Sequence, residues 1–544
     1  MKSPGCVCPG SRQYLGIHSI TIPIGKNDSP DRPAQTTPIT LIPMLYRWWT
    51  KVVTKQILHT WGQQAPPGLI GFLPTRSAQI ELIDMQWQLE KAHDLDQDPP
   101  HCWQGLTLDL VKCFNLLPRQ PCYRAMLHFG VPKGVADIWY NTLASNTRWW
   151  KIQNQIMRCG SSTTGAPEGD TWSVIACLAL SWVWQHHIES TTARPLSYAD
   201  NWGWKTNTTE SNLAAIQTTI NLTNSLRLQI DWGKTWAWTT ATTGKKQWER
   251  TLKTVVPQLA ELTTVTHARE LGYMIHYNKV TSRTTQMQRH LEALEQLKRL
   301  KRIPISLDSK ALVCTYAMHK ALYATETYAV GQNWTKELRS AMAKAIVPYK
   351  QYSNPYLAVM MLSKLVIDPE LYLIRQSLIL CRKMLMKFTD LEKQTFLQHV
   401  AKHTGDHRYV RGPAGALKFN LQRLGWSFEA SGQINTDTLV TFHILQDSIE
   451  DILKFLEFSW LKHVTQTDTT RQTWRNFPVP NRAETLKIIR KLTPAEQRVA
   501  SYAITCAFMM SSQSQHFTER DLKCDLCDAE DSTEHRLMHC PHLS

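Results

Sequence analysis

At 544 residues the chain exceeds one ordinary domain, and a prior of about 150 residues per domain points to three or four units. Lys and Arg outnumber Asp and Glu by 61 to 45, a formal charge of +16 that favours a polyanionic partner, nucleic acid before an anionic membrane surface. The best apolar stretch, residues 172–184, is 13 residues long and too short for a bilayer span. The N-terminus lacks the continuous apolar core of a secretory signal, so the thirteen cysteines are expected as reduced thiols in an intracellular protein of the cytoplasm or nucleus.

Along the chain, the first 36 residues are rich in Pro, Gly and Ser, and residues 38–46 (PITLIPMLY) then turn apolar and lead into Arg47, Trp48 and Trp49. That pattern predicts a loop feeding a helix. Residues 71–78 (GFLPTRSA) punctuate the chain before an amphipathic helix over 80–90. Between 105 and 278 strands are expected at 106–109, 196–200, 202–205, 228–231 and 271–275, with helices at 174–187 and 211–225 between them. Such alternation indicates an α/β or α+β core. Beyond Thr281, Met287, Leu291, Leu294, Leu297 and Leu300 recur every three or four residues among Lys298, Arg299, Lys301 and Arg302, the mark of a basic amphipathic helix. Residues 305–520 read as mostly helical. Most of the 21 tryptophans, Trp202 and Trp204 among them, suit core packing, although bases can also stack on indoles.

Two aspartates carry the candidate chemistry. Asp109 ends the apolar run 106–109, and Asp200 sits at the tip of a tight hairpin between Tyr198 and Asn201. If those strands pair, the carboxylates converge. Two convergent carboxylates holding two Mg2+ ions are a recurrent device for nucleotidyl transfer, and oxygen-only ligands suit that hard ion.

At this point the sequence resembles the reverse transcriptases of non-LTR (LINE-type) retrotransposons. Seven blocks follow the family order: 38–46, GFLPTRSA, LTLDLVKCFNLLPR (motif A), GAPEGD (motif B), SYADN, Gly233-Lys234 (motif D) and ELGYMI (motif E). The resemblance implies that Asp109 and Asp200 hold Mg2+ or Mn2+. It also implies that Phe114, five residues after Asp109, is an aromatic gate crowding a ribose 2′-hydroxyl. Lys234 becomes a proton donor to, or charge partner of, departing pyrophosphate. Gly165, Pro167, Glu168, Gly169, Tyr198 and Asn201 fall in the substrate-binding blocks, the glycines allowing close backbone approach. Lys26, Arg47 and Arg76 are candidate phosphate contacts.

This chain departs from the family at three positions: Asn201 for the second Asp, Glu168 for the motif B Gln, and Thr37 where an Arg commonly precedes Pro-Ile. Asn201 removes one charge from the metal site. Glu168 adds an anion near the expected triphosphate.

The C-terminus carries Cys524, Cys527, His535 and Cys540 in a C-x2-C-x7-H-x4-C spacing, three thiolates and an imidazole that complete a tetrahedral Zn2+ shell. Cys540 is the softer donor and is preferred to His539. The spacing is similar to the knuckle downstream of LINE-type polymerase domains.

The expected architecture is α+β, a right-hand polymerase with a mostly helical C-terminal region ending in a zinc knuckle. Its boundaries are an irregular segment 1–19, fingers and palm 20–278, helical thumb 279–370, helical connection 371–520 and knuckle 521–544. The implied function is RNA-directed DNA synthesis from an RNA template, a DNA primer and deoxynucleoside triphosphates. The alternative is a decayed or domesticated copy that only binds nucleic acid. Neither an endonuclease nor an RNase H domain is recognisable, and the chain reads as a possible fragment of a longer element protein.

Overall fold

The computed structural model describes residues 18–25, 36–94, 102–158, 162–241, 245–256, 262–279, 282–303, 305–346, 355–362, 367–467, 482–493 and a few positions beyond. They fall into two compact units, Met1–Glu81 with Lys91–Thr266, and Leu82–Glu90 with His267–Ser544. Among the described residues no helix is long and apolar enough to cross a membrane.

The first unit runs β1 (His18–Gly25), β2 (Thr36–Leu41), α1 (Met44–Gln64), the ends of α2 (Ala78–Asp94), β3 (Gln104–Asp109), α3 (Cys113–Leu116), α4 (Arg119–His128), α5 (Lys133–Ser145), β4 (Thr147–Ile152) and β5 (Gln155–Arg158). It continues with α6 (Thr171–Glu189), β6 (Arg194–Tyr198), β7 (Asn201–Thr206), α7 (Thr209–Ser225), β8 (Trp236–Thr239), α8 (Lys245–Val255) and β9 (Thr263–Val265). Two sheets form, ordered β2-β1-β4-β5 and β6-β7-β3-β8-β9. In the second, β3 is central and antiparallel to both β7 and β8.

A strand covered on its faces reads as an apolar run, and Leu106 and Leu108 of β3 are buried accordingly. Helix α6 is buried almost all round, Ser173 and Ser181 included, as a helix apolar on every side requires. Its Trp184 stacks on Trp202 of β7 with centroids 4.7 Å apart and donates its indole N–H to Thr219 of α7 at 3.1 Å. An aromatic pair of this kind adds about 0.5–1.5 kcal/mol beyond the area it buries. Trp202 and Trp204 both lie in this core.

The second unit contains β10 (His267–Glu270), β11 (Tyr273–His276), α9 (Thr284–Leu300), α10 (Leu307–Ala321), α11 (Gln332–Ile346), α12 (Pro355–Met361), α13 (Pro369–Leu385), α14 (Asp390–Lys402) and α15 (Pro413–Gln422). Then come β12 (Ser427–Phe428), β13 (Gln433–Asn435), β14 (Thr441–His443), α16 (Ile449–Thr467) and α17 (Arg482–Lys491). The middle of α2 belongs here: the Glu90 carboxylate accepts from the N–H groups of Ala414 and Gly415 at 3.0 and 2.9 Å, satisfying the first turn of α15. Arg339 is buried against Asp368 and Glu370.

The structure corrects three expectations. Residues 228–231 form an isolated bridge, Leu110 to Ile230, instead of a strand. The apolar run 38–46 opens in a strand, β2, which ends at Leu41, and enters α1 at Met44, where a loop feeding a helix was expected. On α9 the buried face is Gln286, His290, Ala293, Leu297 and Leu300, and Met287 and Leu291 are exposed. His290 stacks on Trp334 with centroids 5.1 Å apart, so a polar ring with an aromatic partner takes the place of an aliphatic one.

Candidate active site

Asp109 closes the central strand β3 directly opposite Asn201, the first residue of β7. Between Tyr198 and Asn201 the β6–β7 hairpin has a two-residue turn, Ala199 and Asp200. Ala199 has φ +54°, as two-residue hairpin turns demand at that position. A residue with a Cβ is strained there. The turn is held from outside, since the Ala199 carbonyl accepts from the Trp202 indole at 3.1 Å and the Ser181 hydroxyl at 3.3 Å. Leu110 N–H donates to the Asp200 carbonyl at 3.1 Å, tying the two aspartate-bearing segments together.

A third carboxylate arrives from the bridge at 228–231. Asp231 N–H donates to the Asp109 carbonyl at 2.8 Å, and the short turn Trp232–Lys234 follows. The Lys234 ammonium lies 2.8 Å from Asp109 Oδ2 and 3.3 Å from Asp231 Oδ2. Its pKa is raised, chiefly by the bond to Asp109. Burial pushes the Asp200 carboxyl up, and the Asp109 charge adds to the rise. The structure thus brings together Asp109, Asp200 and Lys234, and adds Asp231. The only sequence signal for Asp231 was its place three residues before Lys234.

Phe114, on the one-turn helix α3, meets motif B in a pocket of about 340 Å³ whose walls include Pro167, Glu168, Gly169 and Asp170. Gly165 and Gly169 have φ +75° and +107°. A Cβ on Gly165 would lie 2.3 Å from the Asn115 carbonyl, so the close approach at Gly165 is to motif A itself. The Glu168 carboxylate accepts from Asn115 Nδ2 at 2.7 Å. Burial raises Asp170 to about 6.

Arg119 holds this corner. Its buried guanidinium donates to the carbonyls of Gly165 at 2.7 Å, Thr164 at 2.9 Å and Leu143 at 3.2 Å, and desolvation lowers it to about 10. Sequence reading gave Arg119 no role, because an arginine in a basic chain carries no local sign of burial.

Tyr198 packs its ring against Phe72, centroids 5.4 Å apart, and Ser197 exchanges backbone hydrogen bonds with Gly68 and Ile70. The GFLPTRSA block therefore buttresses the hairpin. Arg76 donates to the carbonyls of Leu69 at 2.9 Å, Ala65 at 2.6 Å and Gly62 at 3.3 Å, and also to Pro66, a capping role where a phosphate contact was expected. Arg47 is exposed on α1. Lys26, Cys524 and His535 lie outside the described residues. Cys527 and Cys540 are described, their sulfurs 3.9 Å apart. Among the described residues no group of three or more His, Cys, Asp and Glu could hold a metal ion.

A carboxylate pair beside a lysine, on a central strand and a neighbouring hairpin tip, is the equipment of a nucleotidyltransferase. Residues 24–275 match the family described as "Reverse transcriptase (RNA-dependent DNA polymerase)", and the chain contains a reverse transcriptase domain. No curated protein matches the sequence.

Solved structures that resemble the chain include apo telomerase from Candida tropicalis, at 11% identity over 87% of this chain and 71% of that one, TM-score 0.38. The same telomerase truncated from its C-terminal domain matches at 11% identity over 48% and 53%, TM-score 0.34. Telomerase from Candida albicans in complex with a fragment of telomeric RNA matches at 9% identity over 69% and 63%, TM-score 0.35. The matches thus span 53% to 71% of those chains.

Proposed function

We propose that the protein is the RNA-directed DNA polymerase of a LINE-type retrotransposon, extending a DNA primer on an RNA template by two-metal nucleotidyl transfer. The observation that supports it best is the meeting of Asp109 and Asp200 through paired strands and the Leu110 to Asp200 hydrogen bond. Their donor set fits Mg2+ or Mn2+: it is all oxygen, and Mg2+ commonly takes one or two protein carboxylates and completes its shell with water and substrate phosphate. Bound there, the ions would activate the primer 3′-hydroxyl and neutralise charge on the departing pyrophosphate.

The chain's own groups do the rest. Lys234, protonated and anchored by Asp109 and Asp231, presents a cation and a proton at the leaving-group side. Phe114 walls the pocket where a 2′-hydroxyl would sit, favouring deoxynucleotides. Asn115 fixes the Glu168 carboxylate by a hydrogen bond. The fingers, palm and thumb boundaries given above belong to this proposal.

A zinc knuckle of Cys524, Cys527, His535 and Cys540 completes it. Two thiolates about 2.3 Å from one tetrahedral Zn2+ lie about 3.8 Å apart, and the Cys527 to Cys540 spacing of 3.9 Å fits.

Primer extension with purified protein, Mg2+ or Mn2+, an RNA template and deoxynucleotides tests the reading. Template-dependent products that disappear with Asp109→Asn are expected. Absence of extension with retained, salt-sensitive RNA binding would instead favour the non-polymerising alternative, which Asn201 opposite Asp109 and the extra anion of Glu168 motivate.

A further inference from the structure

Helix α1 has two faces of different character. Thr50, Thr54, Ile57 and Trp61 are buried, and Trp49 stacks on Trp172 of α6 with centroids 5.8 Å apart. On the other side Met44, Leu45, Trp48 and Val52 are 82%, 80%, 68% and 43% exposed. Arg47, Lys51 and Lys55 are exposed too. They recur every fourth residue, so on a helix of 3.6 residues per turn they climb alongside Met44, Trp48 and Val52. The helix contains no Asp or Glu. Among the described residues none of the three cations enters an ion pair.

An exposed indole set among unpaired cations suits one kind of ligand well. Single-stranded nucleic acid offers phosphates to the cations and unstacked base faces to the indole, whereas a duplex keeps its base faces covered. The face also has a fixed place in the unit. Thr171 donates to Thr50 at 3.1 Å, and Thr171 follows Asp170, which lines the Phe114 pocket with Thr171 itself. One side of α1 is thus bolted to the corner where the incoming nucleotide would be selected.

We propose that the outer face of α1 holds a single-stranded stretch of RNA template, one base stacked on Trp48 and successive phosphates on Arg47, Lys51 and Lys55. The inference rests on the RNA-copying function above, because that function supplies the strand.

Fluorescence anisotropy of the full chain tests it with a labelled 20-nucleotide single-stranded RNA and an abasic oligonucleotide of equal length. Trp48→Ala is expected to weaken RNA binding on the order of tenfold, Trp48→Phe to restore most of it, and neither to change affinity for the abasic probe. Combined Arg47→Gln, Lys51→Gln and Lys55→Gln is expected to flatten the salt dependence of both probes by a log–log slope of about 2. Unchanged RNA affinity in these variants overturns the proposal. So does a loss, in Trp48→Ala, of binding to phosphatidylserine vesicles or of self-association with RNA affinity intact. The assay requires no nucleotide addition, so a chain that fails to extend a primer still reports on this face.

Discussion

Asp200 sits where its charge is disfavoured, partly buried at a hairpin tip and beside Asp109. Its raised pKa means that the folded chain holds the proton more tightly than the unfolded chain does. Without metal, the resulting stability penalty is absent below the ordinary carboxylate range and fully present once pH exceeds the raised value. Asp200→Asn is therefore expected to raise Tm at pH 7 by on the order of 2 °C, with the gain vanishing as pH falls to the ordinary carboxylate range. Primer extension by the same variant should drop roughly 10³-fold or more. A melt series against pH in chelator, run beside the activity assay, checks both. Glu168 poses a different question. Its bond to Asn115 can be made by a Gln oxygen as well, so Glu168→Gln removes charge and keeps geometry. Steady-state extension should then show the deoxynucleotide KM falling several-fold, about the effect of removing one like charge at a half-solvated site, with kcat little changed.

At the scale of elements, the β6–β7 hairpin is positioned by what packs around it. Its turn carbonyl is held by Ser181 of α6 and Trp202 of β7, and its strand β6 by the loop 68–70. The β10–β11 hairpin in the second unit behaves differently, because it carries a buried carboxyl. Burial pushes Glu270 up from 4.5 to about 7, and Glu326, which accepts from the Tyr273 hydroxyl at 3.3 Å, rises to about 7 as well. Both groups fold more readily protonated, so this contribution to stability is complete near pH 4 and is lost as pH climbs through 7. Thermal melts from pH 5 to 8.5 should show Tm declining over that window. Glu270→Gln should reduce the decline by about half, and the double variant Glu270→Gln, Glu326→Gln should abolish this part of it.

For the whole molecule, the +16 charge and the proposed C-terminal knuckle suit a protein that grips a polyanion at more than one place. Zinc content measured by mass spectrometry on the full chain is expected to be one ion per molecule. It should fall to near zero in Cys524→Ser with Cys527→Ser, since a structural site needs all four ligands. An unchanged stoichiometry removes the knuckle from the proposal. Much of the fold was legible in advance: β3, β6, β7, α6, α7 and α9 all lie where periodicity put them, within a few residues at their ends. The strands β1, β4, β5 and β8 were missed: Ile20, Ile22 and Ile24 of β1 do alternate but stand inside a segment rich in Pro, Gly and Ser, and the short β4, β5 and β8 lack a clean alternation until their pairing partners are known.

Sequence alone determined the order of the motifs, the apolar helix at the core, the Asp109 and Asp200 candidates and the basic balance of the chain. These are properties of neighbouring residues or of simple sums. Tertiary structure decided which charges meet. Lys234 reaches Asp109 across 125 residues of sequence, Arg119 and Arg76 are consumed by backbone carbonyls, Gly165 makes room for Asn115, and Trp48 is left outside while Trp49 stacks within. Each outcome depends on strand register and burial, which no local pattern encodes. A cation on a helix looks the same in sequence whether it faces a carbonyl, a carboxylate or solvent, and only packing sets its surroundings.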